Sequence, residues 1–111
     1  MSQYKMVLTE TDLGRNDHGK HLGRRKKAKK RADDLNIKVI SITETPGYCY
    51  IYEWIVDDPS DSNVYVLCWY FNTQGYVTSP GPVRQFTEEE ASKMIDLFNK
   101  FSENARASGD F

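Results

Sequence analysis

Cysteine is scarce in this 111-residue chain, which holds only Cys49 and Cys68. Neither stands in a Cys-x-x-Cys or other metal-ligand spacing, which leaves zinc-ribbon and thioredoxin-like motifs without support. Both lie inside apolar runs, so the expectation is buried free thiols in a cytoplasmic protein, where disulfides are rare. No run approaches the roughly 20 apolar residues of a membrane span. The opening Met1-Ser2-Gln3-Tyr4-Lys5 leads into no apolar stretch of the signal-peptide kind. A Gly-rich phosphate loop, a Ser-centred nucleophile elbow and a locally supported Cys/His pair are all missing. Nothing here calls for a cofactor or a bound metal, and a non-catalytic protein is the stronger expectation. Triads assembled from distant positions leave no such local trace, so catalysis itself stays open.

Net charge is also small, −1 at neutral pH. It hides an asymmetry. Residues 1–35 hold ten Lys or Arg against five Asp or Glu, and residues 36–111 hold five against eleven. The basic part can meet an acidic partner while the acidic part keeps the molecule in solution. The apolar fraction of 39% and aromatic fraction of 13% provide material for one core, and the length suits a single domain over 1–111.

The periodicities predict an α+β fold with an antiparallel sheet of about three to five strands and two helices, in the order β-α-β-β-β-(β)-α. Residues 4–9 read as a short strand with Tyr4, Met6 and Leu8 on one face. Residues 10–20 are polar, punctuated by Gly14 and Gly19, and read as a mobile loop. Residues 21–35 read as a helix of Lys, Arg and Ala whose apolar stripe is only Ala28, Ala32 and Leu35. Strands are expected at 37–43, after which Pro46-Gly47 turns the chain, then at 48–56 and 63–71. The polar cluster Asp57-Asp58-Pro59-Ser60-Asp61-Ser62 joins the last two as a hairpin. Residues 76–79 and 83–86 add an edge strand interrupted by Pro80-Gly81-Pro82. Residues 88–105 form a helix. Thr87 and Glu90 make a capping box, and Ala91, Met94, Ile95, Phe98 and Phe101 line one face. The tail 106–111 is expected to fray.

Two features bear on function. In the expected hairpin, Tyr48, Tyr50, Tyr52 and Trp54 alternate onto one face, and an odd register adds Tyr65, Leu67, Trp69 and Phe71. The other face is aliphatic and suits the C-terminal helix. The aromatic face then needs its own cover: a second copy in a homodimer, a protein partner or a ligand. The plain alternative is that a helix of the same chain covers it. The second feature is the run from Arg24 to Arg31, seven cations in eight positions: Arg24, Arg25, Lys26, Lys27, Lys29, Lys30 and Arg31, with Arg15 and Lys20 upstream. Like charges at this density gain from a neutralising anion, and nucleic-acid phosphates supply one. A solvated helix face is the plain alternative here.

His18 and His21, beside Asp17, could share a helix face and support a metal-dependent nuclease, although solvated loop histidines account for them more simply. Glu53 interrupts an apolar face, where pairing with a nearby cation is the ordinary outcome. The aromatic strands are similar in general terms to RNA-recognition sheets. The basic-Gly-aromatic octamer of that family is missing, and Gly75-Tyr76-Val77-Thr78 does not supply it. The leading expectation is a small non-catalytic binding or regulatory protein, in the manner of a virus-encoded inhibitor. It would act on a macromolecular partner through the aromatic face and the basic helix. An RNA- or single-stranded-DNA-binding module comes second, and a metal-dependent nuclease third.

Overall fold

The computed structural model describes residues 2–107 and 109. The chain opens on β1 (Gln3–Glu10), followed by α1 (Asp12–Asn16), a 3-10 turn (His18–Lys20) and α2 (His21–Asp34). Then come β2 (Lys38–Thr45), β3 (Tyr48–Asp57), α3 (Asn63–Gln74), β4 (Val77–Thr78), β5 (Val83–Gln85) and α4 (Glu88–Ala107). The class is α+β, with one antiparallel sheet ordered β2-β3-β1-β4, and β5 also paired to β1. No helix of the described residues is long and apolar enough to cross a membrane.

β1 is the axis of the sheet. Its alternation is the expected one: Tyr4, Met6, Leu8 and Glu10 are buried, and Lys5, Val7 and Thr9 face the other side. β3 lies along one flank, with Met6 opposite Trp54 and Leu8 opposite Tyr52. The other flank is shared by two short strands. β5 pairs at Gln3–Lys5 and β4 at Thr9–Glu10. Between them Pro80-Gly81-Pro82 removes two ladder donors, so the edge breaks in two there.

Residues 63–74 depart from the sequence reading. They form α3, and the antiparallel partner of β3 across a tight turn is β2 instead, through Pro46-Gly47. The segment is rich in β-branched and aromatic residues, which favour strands. Yet Val64, Leu67, Cys68 and Phe71 also stand at i, i+3, i+4 and i+7, and these four are buried. In an unbroken apolar run both periods are present, and packing decides between them. Two local devices tip the balance. Asp58, fully buried, accepts the amide of Val64 at 2.8 Å on one carboxylate oxygen and the amide and hydroxyl of Ser60 on the other. It thereby satisfies a donor at the start of the helix. Gly75, with φ of 80°, closes the other end in the left-handed conformation that stops helices.

Residues 10–20 are not a loop either. Thr11 caps α1 through the amide of Gly14, and α1 lies so close to the 75–77 segment that a Cβ on Gly14 would stand 2.0 Å from the carbonyl oxygen of Tyr76.

The core lies between one face of the sheet and the helices α2 and α3. It contains Met6, Leu8, Tyr52, Trp54 and Val56 from the sheet, and Ala28, Ala32, Val64, Leu67 and Phe71 from the helices. α4 takes no part in it in the way expected. Its capping box forms as read, with the Glu90 amide donating to the Thr87 hydroxyl and the Thr87 amide to the Glu90 carboxylate. That hydrogen bond, with Arg84 at 3.0 Å, holds the Glu90 carboxyl below its ordinary pKa. Beyond this anchor, Met94, Ile95, Leu97, Phe98 and Phe101 each leave more than half of their surface exposed. The second face of the sheet is uncovered as well, with Val7, Ile51 and Ile55 half-buried and Ile40 and Val83 exposed. Of the tail, Arg106 and Ala107 belong to α4, and residues 108, 110 and 111 lie outside the described residues.

Asp58 carries a direct test. Asp58→Ala strands the Val64 amide and the Ser60 groups, and it should cost about 2 kcal/mol of stability. Urea unfolding monitored by circular dichroism measures that loss.

Candidate nucleic-acid interface

α2 meets the sheet through small residues. Ala28 and Ala32 are its buried positions, and they let the helix lie close without filling the space beneath its first half. That half is positioned from outside by a buried carboxylate. Glu10, the last residue of β1, is 2% exposed. One of its oxygens meets His18 Nδ1 at 2.8 Å and the other meets Arg24 Nη2 at 3.3 Å. Arg24 also donates through Nη1 to the Asp17 carbonyl at 2.9 Å and to the Asp17 carboxylate at 3.1 Å. A buried charge needs this kind of compensation, and here it fixes the entry of α2 onto the sheet.

The basic segment and the tyrosines, separate in the sequence, come together in space. Arg15 lies over the ring of Tyr50, Arg24 over Tyr76, Arg25 over Tyr52 and Arg31 over Tyr70, at 4.6–5.6 Å from the ring centres. Each is a cation–π arrangement that suits a planar guanidinium. The lysines behave differently. Lys26, Lys27, Lys29 and Lys30 are exposed, and only Lys30 has an acidic partner, Asp34 at 3.5 Å one turn away. At 100° per residue these four span an arc of about 160° on the side of α2 opposite Ala28 and Ala32. Lys20, further upstream, is exposed and lies 4.0 Å from Asp17. The expected binding set thus divides: the arginines lie on aromatic rings, with Arg24 and Arg25 half-buried and Arg15 and Arg31 exposed, and the lysines face water.

The expected aromatic interface divides too. Tyr52 and Trp54 are buried in the core, where helices of the same chain cover them, and Phe71 packs on Trp54 at 5.1 Å from α3. These three form no open platform. Tyr50 remains accessible at the sheet end. Tyr65 and Trp69 are exposed, but on the outer side of α3 and not on a strand. The side chain of Tyr48 lies outside the described residues. Cys68 is buried as expected, whereas Cys49 is exposed, because it falls on the uncovered sheet face. Glu53, on that same face, pairs with Lys5 at 3.2 Å.

His18 and His21 are not solvated loop residues. Their rings stack at 4.4 Å, His21 donates through Nδ1 to the His18 carbonyl, and it also stacks toward Tyr52. Among the described residues, no group of three or more His, Cys, Asp or Glu is arranged to hold a metal ion.

Between the first half of α2 and the C-terminal half of α3 lies a groove of about 610 Å³. Leu8, Tyr52 and Trp54 line it from the sheet, and Arg25, Lys27 and Tyr76 are among its other walls. The Tyr52 hydroxyl is buried and makes no hydrogen bond among the described residues. Burial first, then the carboxylates of Glu10 and Glu44, raise its pKa above the ordinary value, so it is a neutral donor at physiological pH. The sequence hinted at none of this, because the groove joins residues from six elements.

No protein-family model, no curated protein and no solved structure matches the chain.

The buried carboxylate is the part of this arrangement most exposed to mutation. Glu10→Ala leaves the Arg24 guanidinium without its buried partner and should cost about 3 kcal/mol. Urea unfolding of the variant beside the parent checks it.

Proposed function

We propose that this is a non-catalytic binding protein that occludes or recruits a nucleic-acid strand through the outward lysine face of α2. The observation that carries the reading is the division of the cations. Four neighbouring lysines, three of them without an acidic partner among the described residues, face water along one side of a helix. The only large apolar residue exposed beside them on α2 is Leu22. A protein-binding helix would be expected to carry aromatic or aliphatic anchors at its centre, and lysine is depleted there. A phosphate backbone needs the opposite composition, point charges on flexible stems, and it gains from counterion release. Arginines read bases by two-pronged hydrogen bonds. Here they lie against tyrosine rings, away from the outward lysine face, so the strand contact is with backbone and tolerant of sequence. Occlusion of a strand is the way such a protein would regulate or inhibit other users of it. The cytoplasm suits an exposed, unpaired Cys49.

Anisotropy of a labelled single-stranded RNA tests the reading. Affinity should fall steeply as salt rises. Replacing Lys26, Lys29 and Lys30 by Gln together should lower the slope of log K against log salt by about 2. A salt-independent affinity, or a slope unchanged by the three substitutions, contradicts it.

A second copy of the chain is the partner we assign to α4. The helix exposes Met94, Phe98 and Phe101 at four- and three-residue steps, the spacing of a two-helix seam. Its charges are polarised. Residues 88–97 hold Glu88, Glu89, Glu90 and Asp96 against Lys93, and residues 98–107 hold Lys100 and Arg106 against Glu103. Antiparallel pairing of two α4 helices sets each acidic end against a basic one. Light scattering on the eluting protein should give twice the chain mass of 12.8 kDa. Phe98→Glu should return it to the monomer mass. A monomer at 100 μM or so, well above the roughly micromolar range of a specific weak dimer, sinks the assignment.

A further inference from the structure

We infer that the groove between α2 and α3 is a binding site for a single nucleotide, with its base edge at the Tyr52 hydroxyl and its phosphate at the Arg25 rim. The choice of ligand class rests on the polyanion reading above; the groove itself does not. Four observations converge. Its volume, about 610 Å³, falls in the range of small-ligand sites, roughly 300–1,000 Å³. The floor is aromatic, made by Tyr52 and Trp54, the kind of apolar lining that small-ligand sites carry. Tyr52 is 5% exposed and its hydroxyl has no partner among the described residues, a state that proteins avoid unless a ligand or water completes it. Base edges offer carbonyl and ring-nitrogen acceptors for it. Lastly, Arg25 lies over the Tyr52 ring, and no carboxylate within the described residues pairs with it.

The two arginines of the groove have different tasks. Arg24 is already held by Glu10 and Asp17, so it has little left to offer a ligand and serves to keep the wall in place. Arg25 retains its full set of donors, and a guanidinium of this kind grips a phosphate in two-pronged fashion. Lys27 lines the same rim. The path from groove to outer lysines is continuous along α2, so a nucleotide of a bound strand could enter while its neighbours stay on the helix surface.

Trp54 provides the reporter. Trp69 is exposed on the far side of α3 and does not line the groove. A Trp69→Phe background therefore leaves Trp54 as the one tryptophan. Its emission would be titrated with adenosine and uridine monophosphates, with adenosine, and with inorganic phosphate. The expected result is a saturable change with the monophosphates, at least tenfold tighter than with adenosine or phosphate alone. Tyr52→Phe should weaken it about tenfold, the loss of one buried hydrogen bond. Gly23→Leu, at a helical position on the groove where an added Cβ meets nothing within 4 Å, should block the mouth and abolish the change while the helix is retained. A signal that never saturates, or one that both variants leave untouched, overturns the assignment. Strand binding is read on the same preparations. Strands bound without monophosphates remove the groove assignment and leave the polyanion reading. Monophosphates bound without strands uphold the groove and remove the polyanion reading.

Discussion

The burial of Glu10 is the constraint on which the rest of this molecule depends. A carboxylate at the end of a central strand, taken out of water, has to be met by charge or by hydrogen-bond donors. Here two elements answer it at once. His18 comes from the 3-10 turn and Arg24 from α2, and both reach the same pair of oxygens. The short helix, the turn and the start of α2 are thereby fixed relative to β1, although α2 itself offers the sheet only alanines. A helix this basic has little apolar surface with which to dock. Its orientation is set electrostatically at one end and by close packing at the other.

Once α2 is fixed, the distribution of its cations follows. Residues facing the sheet meet a field of tyrosines, and arginine can lie flat on a ring where lysine cannot do so as well. Arg24, Arg25 and Arg31 take those places. The lysines fall on the outer arc, where their stems and charges stay hydrated. The small contact residues leave a groove, and the floor of that groove is the aromatic strand face. Shielding of the tyrosines from bulk water and exposure of the lysines are thus two consequences of one docking geometry.

Much of this was legible in the sequence. The alternation in 4–9, the Pro46-Gly47 turn, the interrupted edge at Pro80-Gly81-Pro82 and the Thr87/Glu90 capping box all stand where local chemistry puts them. Residues 63–74 were not legible, because an unbroken apolar run satisfies the strand and helix periods together. The deciding hydrogen bond comes from Asp58, five residues ahead of the helix. The apolar face of α4 was read correctly as a face, but not its location. Periodicity says that a surface seeks cover and is silent on whether the cover belongs to the same chain. The basic segment was visible as composition. Its division into ring-bound arginines and outward lysines required the tyrosines of three distant segments.

That division is the central claim, and residue-resolved NMR tests it most directly. Amide and side-chain shifts would be followed as a short single-stranded RNA is added. The account predicts that shifts concentrate on residues 20–31 of α2 and its turn, with lysine Nζ groups moving and the Arg24 guanidinium still hydrogen-bonded to Glu10 and Asp17. Shifts centred on the exposed face of α4 or on Tyr65 and Trp69 of α3, with α2 unmoved, would contradict it.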